Sequence, residues 1–327
     1  MSATMNAAVY NQYGTPDVLQ IRSIAKPRPK DHEILIKVHA TAATSGDCRL
    51  RKADPFGVRL FFGLFKPRLS VLGGVFSGKI EAVGAGVTRF SVGDLVFGST
   101  TMAFGAYAEY LCLPETGPIA PKPTALTHSE AASLPFGGAT ALRFLQKAHL
   151  QAGQKVLIYG ASGAIGTAAV QIAKYFGAEV TAVCSTQNLE LVRSLGADHV
   201  IDYTQTDFSK SELHFDVVYE TVNKASVSAC AAVVKKGGKL ILGAAMLREM
   251  LQGTGLSIRR GFQLIAGPVT PAAADILLLQ KMAETGHLKP VIDQEYPLQR
   301  IADAHRYVEQ GRKKGNVVVS LIPGTVH

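Results

Sequence analysis

Gly160-Ala161-Ser162-Gly163-Ala164-Ile165-Gly166 is the stretch of this sequence that decides its fold. It follows the continuously apolar run Val156-Leu157-Ile158-Tyr159, which is typical of a strand covered on both faces in a parallel sheet. It leads into residues 165–176, where apolar side chains recur at the spacing of one helix face. Glycines between a buried strand and a helix let backbone N–H groups and the helix dipole receive a pyrophosphate. The stretch therefore predicts a dinucleotide site, with an ordinary tight surface turn as the alternative.

The segments around this turn predict two domains. After Gln154, short apolar strands alternate with helical stretches, which is typical of a parallel sheet with crossover helices. The preceding part carries short strands broken by Gly and Pro and reads as a mostly β unit. A cluster of four prolines marks the change: Pro114, Pro118, Pro121 and Pro123. We expect a β-rich domain of residues 1–123 completed by residues 292–327, and a nucleotide-binding domain of residues 124–291.

The loop after the second strand of the nucleotide domain favours NADPH. A site for NAD usually places Asp or Glu there to accept hydrogen bonds from the ribose 2′-hydroxyl. The segment Val183–Asn188 has no acid, and the hydroxyls and amides of Ser185, Thr186 and Asn188 would accommodate a 2′-phosphate. The missing acid permits the phosphate without selecting it, because this loop also lacks an arginine.

The composition narrows the class of protein and its surroundings. No apolar run reaches the roughly 18 residues that span a bilayer, and four widely separated cysteines suggest reduced thiols. The net charge of +9 is divided among short clusters, which we interpret as solvated surface. We therefore expect a cytoplasmic protein with no membrane or nucleic-acid partner.

Several motifs in order make the whole chain resemble the medium-chain dehydrogenase/reductase superfamily, in its zinc-free quinone oxidoreductase and enone reductase branch. The motifs are Gly73-Gly74-Val75-Phe76-Ser77-Gly78, Gly93-Asp94-Leu95-Val96-Phe97-Gly98, Gly105-Ala106-Tyr107-Ala108-Glu109-Tyr110, Leu134-Pro135, Gly196-Ala197-Asp198 and Gly315-Asn316-Val317-Val318. The resemblance implies an α/β protein with a GroES-like β-rich catalytic domain and a Rossmann domain. It also implies a homodimer formed through the nucleotide domain.

The resemblance adds cofactor contacts to the glycine turn. It implies Thr140 near the nicotinamide and diphosphate, Tyr203 at the adenosine phosphate and Asn316 approaching from the tail. Gly243 follows the fifth strand of the nucleotide domain and is expected to pass near the nicotinamide. Gln187 stands where the branch often has a basic residue, which weakens selection for NADPH. The complete set of expected cofactor-binding residues is Thr140, Gly160, Ala161, Ser162, Gly163, Ala164, Ile165, Ser185, Thr186, Asn188, Tyr203, Gly243 and Asn316.

The zinc positions of the superfamily are filled by residues that do not bind zinc. Zinc members carry a ligand cysteine shortly before an Asp, and a Gly-His-Glu segment, because zinc needs thiolate and imidazole donors. Here Thr44 precedes Asp47, and Gly74 and Val75 replace His and Glu. We expect no metal. Acceptors that take a hydride without a Lewis acid, namely quinones and α,β-unsaturated carbonyls, then become the favoured small apolar electrophiles.

Three residues are candidates for the catalytic machinery. Thr44 and Ser77 are expected to donate hydrogen bonds to the developing oxyanion, and Asp47 is expected to orient the loop. A helix cap is the alternative for Thr44-Ser45-Gly46-Asp47. The aromatic segment Phe56–Phe65 is interpreted either as core or as a lid over an apolar acceptor. Two further functions stay open: a non-catalytic NADPH-binding redox sensor or structural protein, and an alcohol dehydrogenase.

Overall fold

The computed structural model describes residues 3–322, which form two compact units. One comprises the chain up to Phe136, together with Pro271–Glu284 and the residues from Pro290 onward. The other comprises Gly137–Thr270 and Thr285–Lys289. These units are defined by the packing of the chain. The domain boundaries expected from the sequence, between 123 and 124 and between 291 and 292, refer instead to the domains of the superfamily. Those boundaries therefore remain a prediction.

Within the described residues, the two units contain fifteen strands, nine α-helices and four short 3-10 helices. The strands are β1 Thr4–Val9, β2 Gln20–Ala25, β3 Glu33–Ala43, β4 Val75–Val83, β5 Leu95–Ser99, β6 Tyr110–Pro114, β7 Ile119–Pro121, β8 Lys155–Tyr159, β9 Glu179–Cys184, β10 His199–Asp202, β11 Phe215–Glu220, β12 Val234–Leu242, β13 Gln263–Ala266, β14 Ile292–Pro297 and β15 Asn316–Ser320. The helices are α1 Ser45–Lys52, α2 Val58–Phe62, α3 His128–Lys147, α4 Ala164–Tyr175, α5 Leu189–Ser194, α6 Val227–Ala232, α7 Leu247–Arg260, α8 Ala273–Glu284 and α9 Ile301–Glu309.

The first unit is built on a mixed sheet that the tail of the chain completes. Its strands lie in the order β14-β15-β3-β4-β5-β7, and β6 also pairs with β3. Strand β15 pairs antiparallel with β3, with Val317 opposite Ala43. Alternate residues of β3, including Ile34, Ile36 and Val38, are buried in one core cluster, as expected for a strand with one face packed inward.

The second unit contains a six-stranded parallel sheet in the order β10-β9-β8-β11-β12-β13. Numbered from β8, this is the order 3-2-1-4-5-6 of a doubly wound Rossmann sheet. The order reverses between β8 and β11, and ligands bind outside the carboxyl ends of the strands at such a switch point. The predicted fold class is confirmed, and the glycine turn lies at this position.

Two further observations concern the surroundings of the chain. Within residues 3–322, no helix combines the length and the apolar character that crossing a bilayer requires. Cys48, Cys112, Cys184 and Cys230 are all free thiols.

Candidate cofactor and catalytic sites

Two glycines of the turn between β8 and α4 are required by the chain itself. Gly160 has a φ of 77°, and a Cβ there would lie 2.8 Å from the hydroxyl oxygen of Thr221. A Cβ at Gly166 would lie 2.1 Å from the carbonyl oxygen of Gly160, which real structures do not tolerate. These residues let the strand turn sharply and the helix pack closely against it.

Gly163 differs because neither its backbone nor its packing demands glycine. Its φ of −80° and ψ of 178° suit any residue, and the nearest atom to a Cβ there would be 3.5 Å away. Gly163 is also the N-cap of α4, so no side chain of its own caps the amides of the first turn. An anion approaching this helix terminus closely accounts for both features. The turn therefore fits the pyrophosphate of a dinucleotide.

Asn188 connects this turn with the end of β9. Its side chain is 9% exposed, and its amide group donates to the hydroxyl oxygens of Ser162, at 3.0 Å, and Ser185, at 3.2 Å. Its carbonyl oxygen Oδ1 has no partner among the residues described. The structure thus brings three predicted cofactor residues into one polar cluster. A bound polar group or a water would explain an unsatisfied buried oxygen beside the predicted cofactor site.

A carboxylate that the sequence analysis missed lies beside the same loop. Asp202, the last residue of β10, accepts a hydrogen bond of 2.5 Å from the Thr186 hydroxyl. The bonds from Thr186 and Thr204 hold the pKa of Asp202 below its usual value. Tyr203 follows, half exposed, with its ring 6.0 Å from that of Tyr159. The parallel pairing of β9 and β10 could have revealed Asp202, since it places both carboxyl ends side by side.

The loops after β11 and β12 meet at a second carboxylate absent from the sequence analysis. Glu220 is buried and accepts hydrogen bonds from the backbone amides of Asn223, at 2.7 Å, and Lys224, at 3.0 Å. Burial raises the pKa of Glu220, and these amides oppose the rise. The amide of Gly243 donates to the Glu220 carbonyl at 2.8 Å. Glu220 therefore shapes the loop beside Gly243, while Thr140 lies on α3 in the same unit.

In the other unit, Thr44 and Asp47 form a reciprocal cap on α1. The Asp47 amide donates to Thr44 Oγ1 at 3.1 Å, and Asp47 Oδ2 accepts from the Thr44 amide at 3.1 Å and its hydroxyl at 2.6 Å. Asp47 Oδ1 accepts from the amide of Gly73 at 3.1 Å. The capping alternative is therefore present in the structure, and it holds Asp47 in place as a loop-orienting residue. A catalytic role for either residue stays a prediction.

Behind this cap lies a buried polar chain that sequence reasoning did not find. His305 on α9 has Nδ1 3.4 Å from the Sγ of Cys48 and Nε2 3.1 Å from the hydroxyl oxygen of Tyr107. Burial lowers the pKa of His305 to about 3 and raises that of Cys48 to about 12, so both are neutral near pH 7. A neutral thiol is a poor nucleophile. The contact between His305 and Cys48 therefore connects α9 to α1.

Ser77 belongs to a different cluster from Thr44. It is fully buried on β4, with its hydroxyl oxygen 2.8 Å from Nδ1 of His128 and 3.2 Å from the carbonyl oxygen of Val96. Burial, together with the charges of His39 and Lys122, lowers the pKa of His128 to about 4. Asn316 opens β15, where both its backbone and its side-chain amide donate to the carbonyl oxygen of Val291. The predicted roles of Ser77 and Asn316 remain predictions.

The aromatic segment after α1 is exposed rather than core. Phe56, Leu60, Phe61, Leu64 and Phe65 are each between 46% and 89% exposed. Arg59 anchors the segment with its guanidinium 4.8 Å from the ring centroid of Tyr13. The structure therefore excludes the core interpretation for these five side chains.

Two family profiles match separate stretches of the chain, and the second stretch includes residues of both units. Residues 30–124 match the family profile "Alcohol dehydrogenase GroES-like domain", and residues 195–319 match "Zinc-binding dehydrogenase". The Solanum lycopersicum protein "2-methylene-furan-3-one reductase" is 35% identical, over 98% of this chain and 80% of its own length. The Arabidopsis thaliana "NADPH-dependent alkenal/one oxidoreductase, chloroplastic" is 33% identical over the same shares. The solved quinone oxidoreductase from Coxiella burnetii gives a TM-score of 0.88 at 27% identity, covering 98% of this chain and 100% of that one.

A GroES-like unit together with a doubly wound nucleotide-binding unit defines the medium-chain dehydrogenases/reductases. The chain belongs to this superfamily, in its quinone oxidoreductase branch, and is an oxidoreductase. The resemblance predicted from the sequence motifs is confirmed.

The zinc implied by the name of the second profile does not fit the residues present. Within residues 3–322, no three His, Cys, Asp or Glu side chains come together in a group that could hold a metal. Cys48 and His305 approach each other, but a tetrahedral zinc site needs three or four protein ligands. Thr44, Gly74 and Val75 supply no thiolate, imidazole or carboxylate at the positions where zinc members have Cys, His and Glu.

Proposed function

We propose that this protein is an NADPH-dependent reductase of small apolar quinones or α,β-unsaturated carbonyls. The observation that carries the proposal is Gly163, whose missing side chain leaves an uncapped helix terminus open to a pyrophosphate. The names of the two plant relatives and of the Coxiella protein supply the acceptor class, and one of them supplies NADPH. The polar cluster of Ser162, Ser185 and Asn188 adds donors suited to phosphate oxygens.

The residues of the chain bind, orient and polarise the reactants in this proposal. When bound, NADPH supplies the hydride. The amides of the first turn of α4 hold its pyrophosphate, and Ser185 and Tyr203 border its adenosine end. Asp47 fixes the α1 terminus, and Thr44 supplies the hydroxyl of that cap. We propose that Thr44 lowers the energy of the developing oxyanion by donating a hydrogen bond, for which its present bond to Asp47 must open.

The decisive experiment follows NADPH oxidation at 340 nm with a panel of quinones, alkenals and enones. Matched saturated aldehydes and ketones serve as controls, because they lack the electrophilic alkene carbon. We expect turnover with the conjugated acceptors and little with the saturated ones. Tight NADPH binding without turnover on any acceptor would instead indicate a sensor or structural protein. Chelator-sensitive oxidation of alcohols would indicate an alcohol dehydrogenase.

We also propose a homodimer formed through the nucleotide unit. Among the described strands, β13 pairs only with β12, so one edge of the parallel sheet is open. On α7, Leu247, Leu251 and Ile258 fall on one helical face and are 66–82% exposed. Light scattering should give twice the chain mass, and Leu251→Glu combined with Ile258→Glu should give the monomer. A wild-type monomer at micromolar concentration contradicts the proposal.

The proposed compartment is the cytoplasm. Free thiols at all four cysteines fit a reducing compartment. Localisation of a tagged full-length protein in its own cells tests this, and recovery in an organelle or at a membrane would contradict it.

A further inference from the structure

Three hydroxyl groups border the predicted cofactor site, that of Ser162 in the glycine turn and those of Ser185 and Thr186 after the second strand, and their hydrogens are used differently. The Asn188 amide group donates to the hydroxyl oxygens of Ser162 and Ser185. A hydroxyl that accepts a hydrogen bond still has one hydrogen to donate. No acceptor within residues 3–322 takes the hydrogen of either serine. Both serines are therefore prepared to donate to an arriving oxygen.

The orientation of the Asn188 carboxamide is fixed by the cost of the alternative. Turned over, its oxygen would accept the two serine hydrogens, and its amide group would take the buried position where Oδ1 now has no partner. That position would then hold two unsatisfied N–H donors instead of one unsatisfied carbonyl. Orphaned buried N–H groups are the rarer and costlier defect. Asn188 thus donates, and both serine hydrogens stay available.

Thr186 has the opposite arrangement. Its hydroxyl donates to Asp202 at 2.5 Å, so its single hydrogen is already used. Asp202 also accepts from the Thr204 amide at 2.9 Å and its hydroxyl at 2.7 Å, which stabilise the carboxylate form. Thr186 therefore offers an arriving phosphate only lone pairs, with a negative charge behind them.

We propose that cofactor selectivity is set by the directions of these three hydroxyl hydrogens. Asn188 acts as a positioning residue that turns the hydrogens of Ser162 and Ser185 toward bound phosphate, and Asp202 turns that of Thr186 away. In a doubly wound fold the pyrophosphate lies over the glycine turn and the 2′-phosphate at the end of the second strand. Ser162 then donates to the pyrophosphate, which NADPH and NADH share, whereas Ser185 donates to the 2′-phosphate, which only NADPH carries. This inference rests on the proposed use of NADPH.

The test measures the dissociation constants of NADPH and NADH for the full chain by cofactor fluorescence, with no acceptor present. Ser185→Ala should weaken NADPH about tenfold, the lower range for a hydrogen bond to a charged group, and leave NADH within twofold. The neighbouring Thr186 is expected from the sequence to bind the cofactor, but its hydrogen is donated to Asp202. Thr186→Val is therefore the matched comparison and should leave the NADPH dissociation constant within twofold. Ser162→Ala should weaken both cofactors alike.

Two isosteric variants change the hydrogen directions themselves. Asn188→Asp replaces the donor with an acceptor that takes both serine hydrogens, and it adds a negative charge that repels a 2′-phosphate. Both effects lower the preference for NADPH over NADH, which should fall at least tenfold. Asp202→Asn should raise that preference severalfold, because it removes the charge and keeps an oxygen for the Thr204 amide. Melting of each apo-protein reports whether it folds. If Asn188→Asp does not fold, Ser185→Ala, Thr186→Val and Asp202→Asn decide.

An unchanged preference in folded Asn188→Asp overturns the inference. Equal effects of Ser185→Ala and Thr186→Val on NADPH overturn it as well. Binding is measured apart from turnover, so the two proposals fail separately. If the variants change the dissociation constants of NADPH and NADH as described but the wild type reduces no quinone or enone, the inference is upheld and the enzymatic proposal is refuted. If the wild type reduces these acceptors but the variants keep its preference for NADPH over NADH, the enzymatic proposal is upheld and the inference is refuted.

Discussion

Gly163→Ala should abolish tight cofactor binding while leaving the fold intact. The added methyl group would meet its nearest neighbour, the Gly160 carbonyl oxygen, at 3.5 Å, an ordinary contact distance. Alanine is a poorer N-cap than glycine, but it restricts the unfolded chain more, and these opposing effects leave about 1 kcal/mol or less. The methyl group would occupy the space that a pyrophosphate needs. Each lost amide–phosphate bond is worth about 1.5–3 kcal/mol, or roughly tenfold to hundredfold in affinity.

Gly166→Ala is the matched control within the same turn. Its Cβ would lie 2.1 Å from the Gly160 carbonyl oxygen, so the strand and helix must separate. Overpacking of this kind costs about 1–3 kcal/mol or more. Urea unfolding and NADPH titration of both variants form the assay. The reasoning fails if Gly163→Ala binds NADPH as the wild type does, or if it is destabilised as much as Gly166→Ala.

Three further predictions concern the GroES-like unit. Thr44→Val should lower the free energy of unfolding in urea by about 1 kcal/mol, because the helix cap is lost. It should also lower kcat about tenfold at unchanged NADPH affinity, and an unchanged kcat would show that Thr44 is only a cap. Ser77→Ala should lower kcat if Ser77 serves the chemistry, whereas a loss of about 1 kcal/mol in unfolding with normal kcat would assign it to holding His128. His305 has a pKa lowered to about 3, so its contribution to stability is complete above pH 6.5 and is lost as the pH falls from there toward 3. The wild type should therefore lose its melting advantage over His305→Gln through that window, and a constant gap would disprove the assignment.

The cofactor side of this protein could be predicted from sequence because it is built from consecutive residues. A strand, a glycine turn and a helix are local, and their periodicities appear within about twenty residues of sequence. The sheet order then follows from the alternation of strands and helices. The same logic could have found Asp202 and Glu220, since each ends a predicted strand and the carboxyl ends of parallel strands share one edge. What sequence could not supply was the direction of the hydrogen bonds among Ser162, Ser185 and Asn188.

The catalytic side resisted prediction for a physical reason. Cys48 and His305 are 257 positions apart, and no periodicity relates α1 to α9. Even at Thr44, where sequence offered both a cap and a donor, the two roles compete for one hydrogen. While the Thr44 hydroxyl donates to Asp47, it cannot donate to the oxygen of a bound substrate. Catalysis by Thr44 therefore requires that a hydrogen bond which stabilises the resting protein be broken. The cap is therefore part of the activation barrier if Thr44 is the donor, and weakening Asp47 as an acceptor should make that hydrogen easier to release.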